Sequence, residues 1–259
     1  MTSDSIANIR ARLSCASDEE IAELLAELQA DPRAGVRALA EAASRRMARD
    51  EKESVRLAGL MRHQSWLHAA GVLVVAGTDE VGRGALAGPV SAGAVILAVS
   101  CRIEGLNDSK KLAPKRREQV AAEVRRVALA AAVGHVQPAE IDAMGIGPAS
   151  RLAMTRALQA LDIAPDHVLV DGNDGRVGWP STPVVKGDAL VACIAAASVI
   201  AKVERDSLMV SLGAEHPGYG LEVNKGYFTD DHNQAIRRLG PSPVHRRSFS
   251  PCSEQTILF

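Results

Sequence analysis

An α/β fold with an all-helical region ahead of it is what the 259 residues predict, and three observations carry the prediction. From Val72 onward, short apolar runs bounded by turn residues alternate with amphipathic stretches of helical length. The segment ALVACIAAASVIAKVERDSLMV is apolar nearly all round for its first dozen residues, the pattern of a buried helix. Residues 1–70 carry helix signals and few strand signals.

In the N-terminal region, Ser17-Asp18-Glu19-Glu20 has the spacing of a capping box before IAELLAELQA, Asp31-Pro32 starts another helical stretch, and Gly71 ends the region. The run VLVVAGTDE then reads as a buried strand, followed by a Gly-rich turn and a second strand, PVSAGAVILAV. A helix over 114–130 opens on Pro114, whose fixed φ suits a first helical turn. LAAAVGHVQ reads as a strand, 148–161 as a helix with Leu152, Leu158 and Leu161 on its apolar face, and HVLVDGN as a strand. STPVVKGD leads into the buried helix, which turns polar toward its end. The chain therefore divides into a helical extension (1–70), an α/β domain (71–250) and a C-terminal tail (251–259).

Composition limits the function classes. A hydrophobic content of 47% supplies a core, and no stretch approaches the roughly 18 unbroken apolar residues that would span a bilayer. The opening MTSDSIANIRARL mixes charges early and lacks a secretory pattern, so a cytoplasmic protein that makes no use of a membrane is expected. Cys15, Cys101, Cys193 and Cys252 are scattered without zinc spacing and read as reduced thiols. The net charge of −1 does not announce a nucleic-acid partner, so such binding would have to come from local patches. One patch, 107–126, carries seven Lys/Arg against three acids; on its own it is equally a solvated helix face.

Three apolar segments each end on acids: Asp79-Glu80 after VLVVAGT, Asp171 after HVLV, and Asp188 between VVKG and the buried helix. In open α/β sheets, ligands sit beyond strand ends, where such residues converge. Singly, Asp188 caps a helix, Asp171-Gly172 is a turn and Glu80 is a loop residue. Gathered together, four carboxylates repel one another and call for hard divalent cations, Mg²⁺ or Mn²⁺, and two such ions suit phosphodiester hydrolysis.

The run GTDEVGRGALAGPV (77–90) closely resembles the signature of ribonuclease HII. LNDSKKL (106–112), VLVDGN, KGDALVACIAAASVIAKVERD, NKGYFTDDH and LGPSPVHRRSF resemble that family's later blocks, in its order, over roughly 75–256. A dinucleotide site is disfavoured, because Asp79-Glu80 precede the glycines and a strand follows them, where that fingerprint needs a helix. The resemblance implies a ribonuclease H-like fold with a mixed central sheet flanked by helices. It also implies an endonuclease that cuts 5′ to ribonucleotides in RNA–DNA hybrids and at single ribonucleotides in duplex DNA, leaving 3′-hydroxyl and 5′-phosphate ends.

By the same resemblance, Asp79, Glu80, Asp171 and Asp188 would be the catalytic, metal-binding acids. Gly82, Arg83 and Gly84 would contact the ribose 2′-hydroxyl, where glycine permits close backbone approach. Tyr219 in HPGYG would stack on the deoxyribose that follows, and Asn107, Ser109 and Lys110 would hold DNA phosphates. Lys186 would offset carboxylate charge or meet a phosphate, and Arg246 and Arg247 would act through carboxylate pairing or direct binding. Gly145 departs from the asparagine many relatives carry there. The extension's ten basic and eleven acidic residues do not favour a nonspecific DNA clamp.

Gln255-Thr256-Ile257-Leu258-Phe259 resembles the peptides that dock into bacterial sliding clamps, with an apolar terminus packing on its own domain or remaining loose as the alternative. Two other functions stand beside the nuclease: a catalytically dead hybrid-binding module, and a metal-dependent phosphohydrolase of small nucleotides. The second would leave the 107–126 patch and the Gly82–Gly84 turn without use.

Overall fold

The computed structural model describes residues 4–255. The chain forms two compact units, Met1–Ala58 and Gly59–Phe259. In the first, helices α1 (Ile6–Cys15), α2 (Asp18–Gln29) and the start of α3 (Ala34–Ala69) enclose a small core of Ile9, Leu13, Ile21, Val36 and Ala43. The expected capping box is present: the Ser17 amide donates to Glu20 Oε2 at 2.8 Å, and the Glu20 amide donates to Ser17 Oγ at 3.3 Å. The division between the units falls inside α3, ahead of the change to strand patterning at Val72.

The second unit is built on strands β1 (Val75–Val81), β2 (Val90–Ile96), β3 (Ala130–Val136), β4 (His167–Asp171) and β5 (Ser181–Val184). Their spatial order is β3-β2-β1-β4-β5. β1 is antiparallel to β2, and β2 to β3, whereas β4 runs parallel to β1 and β5 to β4. The sheet is therefore mixed, as the resemblance implied. β5 is an edge strand, where Pro183 can sit without costing a ladder hydrogen bond.

The helices of this unit are α4 (Pro114–Val127), α5 (Pro138–Met144), α6 (Ile146–Gln159), α7 (Gly187–Leu190), α8 (Ala192–Glu215), α9 (Leu221–Asn224), α10 (Asp230–Leu239) and α11 (Cys252–Gln255). One sheet face packs Ala76, Ala92, Ala94, Val168 and Val170 against Ala149, Ala153, Met154 and Ala157 of α6. The other face carries α8, whose residues from Ala192 to Ala201 are all buried. At Gly93 a Cβ would collide with the Ala197 carbonyl, so this helix lies directly on β2. Among the described residues no helix is long and apolar enough to cross a membrane.

Candidate active site

β1 and β4 are parallel neighbours with Thr78 opposite Val170, so Asp79 and Asp171 emerge side by side one position further along. Side chains alternate along a strand, which turns both toward the α8 face, and Glu80, next along β1, lies near enough for its charge to act on Asp79. Asp188 arrives from the loop after β5: Lys186 takes the left-handed conformation (φ 59°), α7 begins, and the Asp188 amide donates to Asp171 Oδ1 at 3.3 Å. A non-glycine residue held left-handed is strained, a feature that tends to cluster at functional sites.

The site is partly closed. Asp79 and Asp188 are buried. From α8, Ser198 hydrogen-bonds Asp79 and also meets Ser109 Oγ at 3.0 Å. Burial first, then the charges of Asp171, Glu80 and Asp188, push the Asp79 carboxyl well above the usual aspartate range, against the Ser198 hydrogen bond. Asp188 is raised by burial and by Asp108 and Asp171, with Lys110 opposing. Lys110 Nζ lies 3.9 Å from Asp188 Oδ2. Burial works against its ammonium, but Asp79, Asp188, Asp108 and Asp171 together hold its pKa above the ordinary lysine value.

Among the described residues no three His, Cys, Asp or Glu side chains form a ready-made shell for one metal ion. The donor set nevertheless fits hard divalent cations. It consists of carboxylate oxygens whose mutual repulsion raises proton affinity, and Mg²⁺ is commonly held by one or two carboxylates plus substrate phosphate and water.

The remaining sequence-predicted residues fall into two groups. Gly82-Arg83-Gly84 forms the turn leaving β1, with Gly82 buried, Arg83 and Gly84 exposed, and Arg83 Nη1 3.3 Å from Glu80 Oε1. Ser109 and Lys110 join the acid cluster through the contacts above, and Asn107 Oδ1 accepts from the Asp108 amide at 2.9 Å beside them. Lys186 is exposed next to α7. Tyr219 belongs to a different cluster, with Leu86, Met209, Leu221 and Ile236. It is buried, its hydroxyl donates to the Gly240 carbonyl at 2.7 Å, and it lines a cleft of about 730 Å³ with Asn224, Gln234 and Arg238.

The Tyr219 ring lies 4.7 Å from that of His245. The hydrogen bonds of His245 fix its tautomer. The Ser242 amide donates to His245 Nδ1 (3.1 Å), so His245 Nε2–H donates to His232 Nε2 (3.1 Å), and His232 Nδ1–H donates to the Tyr227 carbonyl (2.8 Å). That chain closes only with both rings neutral.

Sequence reasoning missed Ser198 and Asp108, whose side chain caps Lys110 N at 2.9 Å. Ser198 had a signal, being the one hydroxyl in the apolar run of α8. Arg246 binds backbone carbonyls, among them those of Gly82 and Arg83, and the Arg247 amide donates to Asp142 Oδ2 at 2.9 Å. The C-terminal motif extends outside the described residues, which end at 255.

The chain matches the family described as Ribonuclease HII over residues 76–252 and that described as Ribonuclease HII N-terminal domain over 5–65. It is 54% identical to the ribonuclease HII of Moorella thermoacetica over 198 residues, covering 76% of this chain and 96% of that one. Among solved structures, the ribonuclease H2 of Pyrococcus horikoshii OT3 aligns with a TM-score of 0.61 at 26% identity, covering 72% of this chain and 98% of that one. The ribonuclease HII of Archaeoglobus fulgidus, solved in complex with PCNA, aligns with a TM-score of 0.59 at 27% identity, covering 69% and 96%.

Proposed function

The chain belongs to the ribonuclease HII family, endoribonucleases that cleave RNA in RNA–DNA hybrids, and has the ribonuclease H-like fold. On that premise we propose that it hydrolyses the phosphodiester 5′ to a ribonucleotide, in hybrids and at single ribonucleotides embedded in duplex DNA. The observation that carries this reading is the convergence of Asp79, Asp171 and Asp188 at the end of β1 and β4, directly before the exposed Arg83-Gly84 turn.

In this reading Asp79, Glu80, Asp171 and Asp188 hold two divalent cations, Mg²⁺ or Mn²⁺. When bound, those ions supply activation of the attacking water and charge relief on the leaving oxygen. The protein's own groups do the positioning. Ser198 holds the Asp79 carboxylate from α8, and the Asp188 amide holds Asp171. Asn107, Ser109, Lys110 and Lys186 grip phosphates beside the acids, with Lys110 already drawn to the site by its charge. The Gly82–Gly84 turn reads the ribose 2′-hydroxyl, and Tyr219, locked against His245, supports the deoxyribose that follows. Water adds to phosphorus as the P–O3′ bond breaks, leaving a 3′-hydroxyl on one side and a 5′-phosphate on the ribonucleotide.

Residues 71–250 form the catalytic domain in this reading, 1–70 an attachment, and 251–259 a tail, in a protein of the cytoplasm. Gln255–Phe259 engages a sliding clamp; the PCNA complex of the Archaeoglobus fulgidus relative supports a clamp partner. The test is a DNA duplex carrying one ribonucleotide, incubated with Mg²⁺ or Mn²⁺ and either wild type or Asp79→Asn. Product ends are identified, and excess plain duplex or mononucleotide is added as competitor. Cleavage 5′ to the ribonucleotide, lost in the variant and competed by duplex, is expected. No cleavage by wild type sinks the reading, and an unimpaired variant overturns the acid assignment.

A further inference from the structure

Two arginines, Arg205 on α8 and Arg246 near the C-terminus, are fully buried, yet both spend their guanidinium donors on backbone carbonyls. Arg205 donates from Nε to Pro89 O (2.9 Å), from Nη1 to Lys225 O (2.9 Å) and from Nη2 to Ala87 O (3.1 Å). Arg246 donates from Nε to Gly88 O (3.1 Å), from Nη1 to Arg83 O (2.9 Å) and from Nη2 to Gly82 O (2.7 Å). Aromatic faces back both cations, Tyr227 at 5.2 Å from Arg205 and Phe249 at 5.2 Å from Arg246.

Burying two like charges with carbonyls as their hydrogen-bond acceptors is costly, and an apolar core of the same volume would serve stability at least as well. Burial and the neighbouring Arg205 charge pull Arg246 down to about 9, which leaves it a cation at neutral pH. What the pair secures is the path of the backbone from Gly82 to Pro89. A trans peptide unit is planar, with its C=O and the following N–H opposed. With the carbonyls of Gly82 and Arg83 turned inward onto Arg246, the amides of Arg83 and Gly84 face the opposite, exposed side.

Gly82 is held from a second direction: its φ is +84°, and a Cβ there would overlap Arg205 Nε. Gly84 has nothing within 4 Å of a Cβ and no left-handed φ. The fold thus demands glycine at 82 and leaves 84 to be explained by what approaches from outside.

The geometry points to Arg205 and Arg246 as positioning residues for ribose recognition: Arg246 fixes the Gly82 and Arg83 carbonyls inward, Arg205 backs Gly82 and ties down the Ala87 and Pro89 carbonyls, and the turn so held presents the Arg83 and Gly84 amides outward to the sugar and its phosphate. The inference rests on the ribonucleotide-cleaving reading above. Lysine cannot replace either arginine, because one ammonium with three donors cannot span three carbonyls in a planar fork.

The test compares wild type with Arg246→Lys and Arg205→Lys, each checked by melting to be folded at the assay temperature. Cleavage of a single-ribonucleotide duplex is measured with Mn²⁺. Affinity for that duplex and for the all-DNA duplex of the same sequence is measured with Ca²⁺. Expected is a fall in kcat/KM on the order of a hundredfold, the scale of an ångström-level misplacement, with preference for the ribonucleotide duplex lost and affinity for the all-DNA duplex kept. A folded variant with the wild-type preference overturns the inference while leaving the enzyme reading intact, and wild type that cleaves nothing fails the reading itself. If the lysine variants do not fold, amide hydrogen exchange on wild type decides. Arg83 and Gly84 should exchange freely in the free protein and be protected by the ribonucleotide duplex but not by all-DNA. Protection already present in the free protein, or equal protection by both duplexes, overturns it.

Discussion

Replacing each glycine of the turn by alanine should have opposite effects on stability at two positions two residues apart. At Gly84 the backbone lies outside the left-handed range and a Cβ meets nothing within 4 Å. Alanine fits there, and by restricting the unfolded chain it should stabilise by about 0.4–1 kcal/mol. For a domain of this size that raises Tm by roughly 1–4 °C. At Gly82 the left-handed backbone costs about 1–2 kcal/mol with alanine, and forcing the Arg205 guanidinium aside adds about 1–3 kcal/mol. Gly82→Ala should therefore lose roughly 2–5 kcal/mol, enough to threaten folding. Both variants should fail on a single-ribonucleotide duplex, Gly84→Ala by on the order of a hundredfold in kcat/KM because its methyl occupies the space the ribose approaches. Thermal melting paired with cleavage assays separates the causes: one variant is inactive because it is destabilised, the other while fully folded. A Gly84→Ala protein as active as wild type would refute the view that the turn's open side is where substrate is read, and a Gly84→Ala protein that melts lower would refute the claim that the fold leaves this glycine free.

Asp79→Asn, which removes a buried charge held beside other carboxylates, should raise Tm in EDTA and abolish the further rise that Mn²⁺ gives wild type; a lower Tm in EDTA would mean the charge is not repelled. Acid should weaken the fold through the histidine pair: burial first, and then the charge of His232, pull His245 down to about 4. With the folded value below the unfolded one of about 6.5, stability is complete above about pH 6.5 and is lost as pH falls toward 4, about 2 kcal/mol of it by pH 5. Urea midpoints of wild type and His245→Asn at pH 7 and 5 isolate that loss, and equal slopes would dismiss it. Removing residues 255–259 should abolish sliding-clamp binding in pull-down and leave cleavage of short duplexes unchanged; retained binding would place the clamp contact elsewhere.

The sheet was legible where burial writes a pattern. β1 to β4, α4, α6 and α8 follow apolar periodicity because each is packed on one or more faces. β5 escaped because an edge strand of four residues containing Pro183 has half-exposed sides and owes its form to pairing with β4. The one-turn α7 escaped because a four-residue helix has no periodicity to show. At the site, Asp79, Asp171 and Asp188 stood out as acids where apolar runs end, whereas the Arg246 contacts did not, since carboxylate pairing is the natural guess for a buried cation.

The difference has a physical origin. A side chain that meets a metal or phosphate must be of a particular chemical type, and that type is visible in the sequence. A side chain that acts on backbone carbonyls meets a group every residue carries, so nothing in its partner's identity betrays the contact. Arg246 and Gly82 are 164 positions apart, and only the folded chain brings them together. The residues that set the direction of the turn's amides are therefore the ones a motif alone leaves out. The glycine motif states that a close approach is permitted, while the two buried guanidiniums determine from which side it is made.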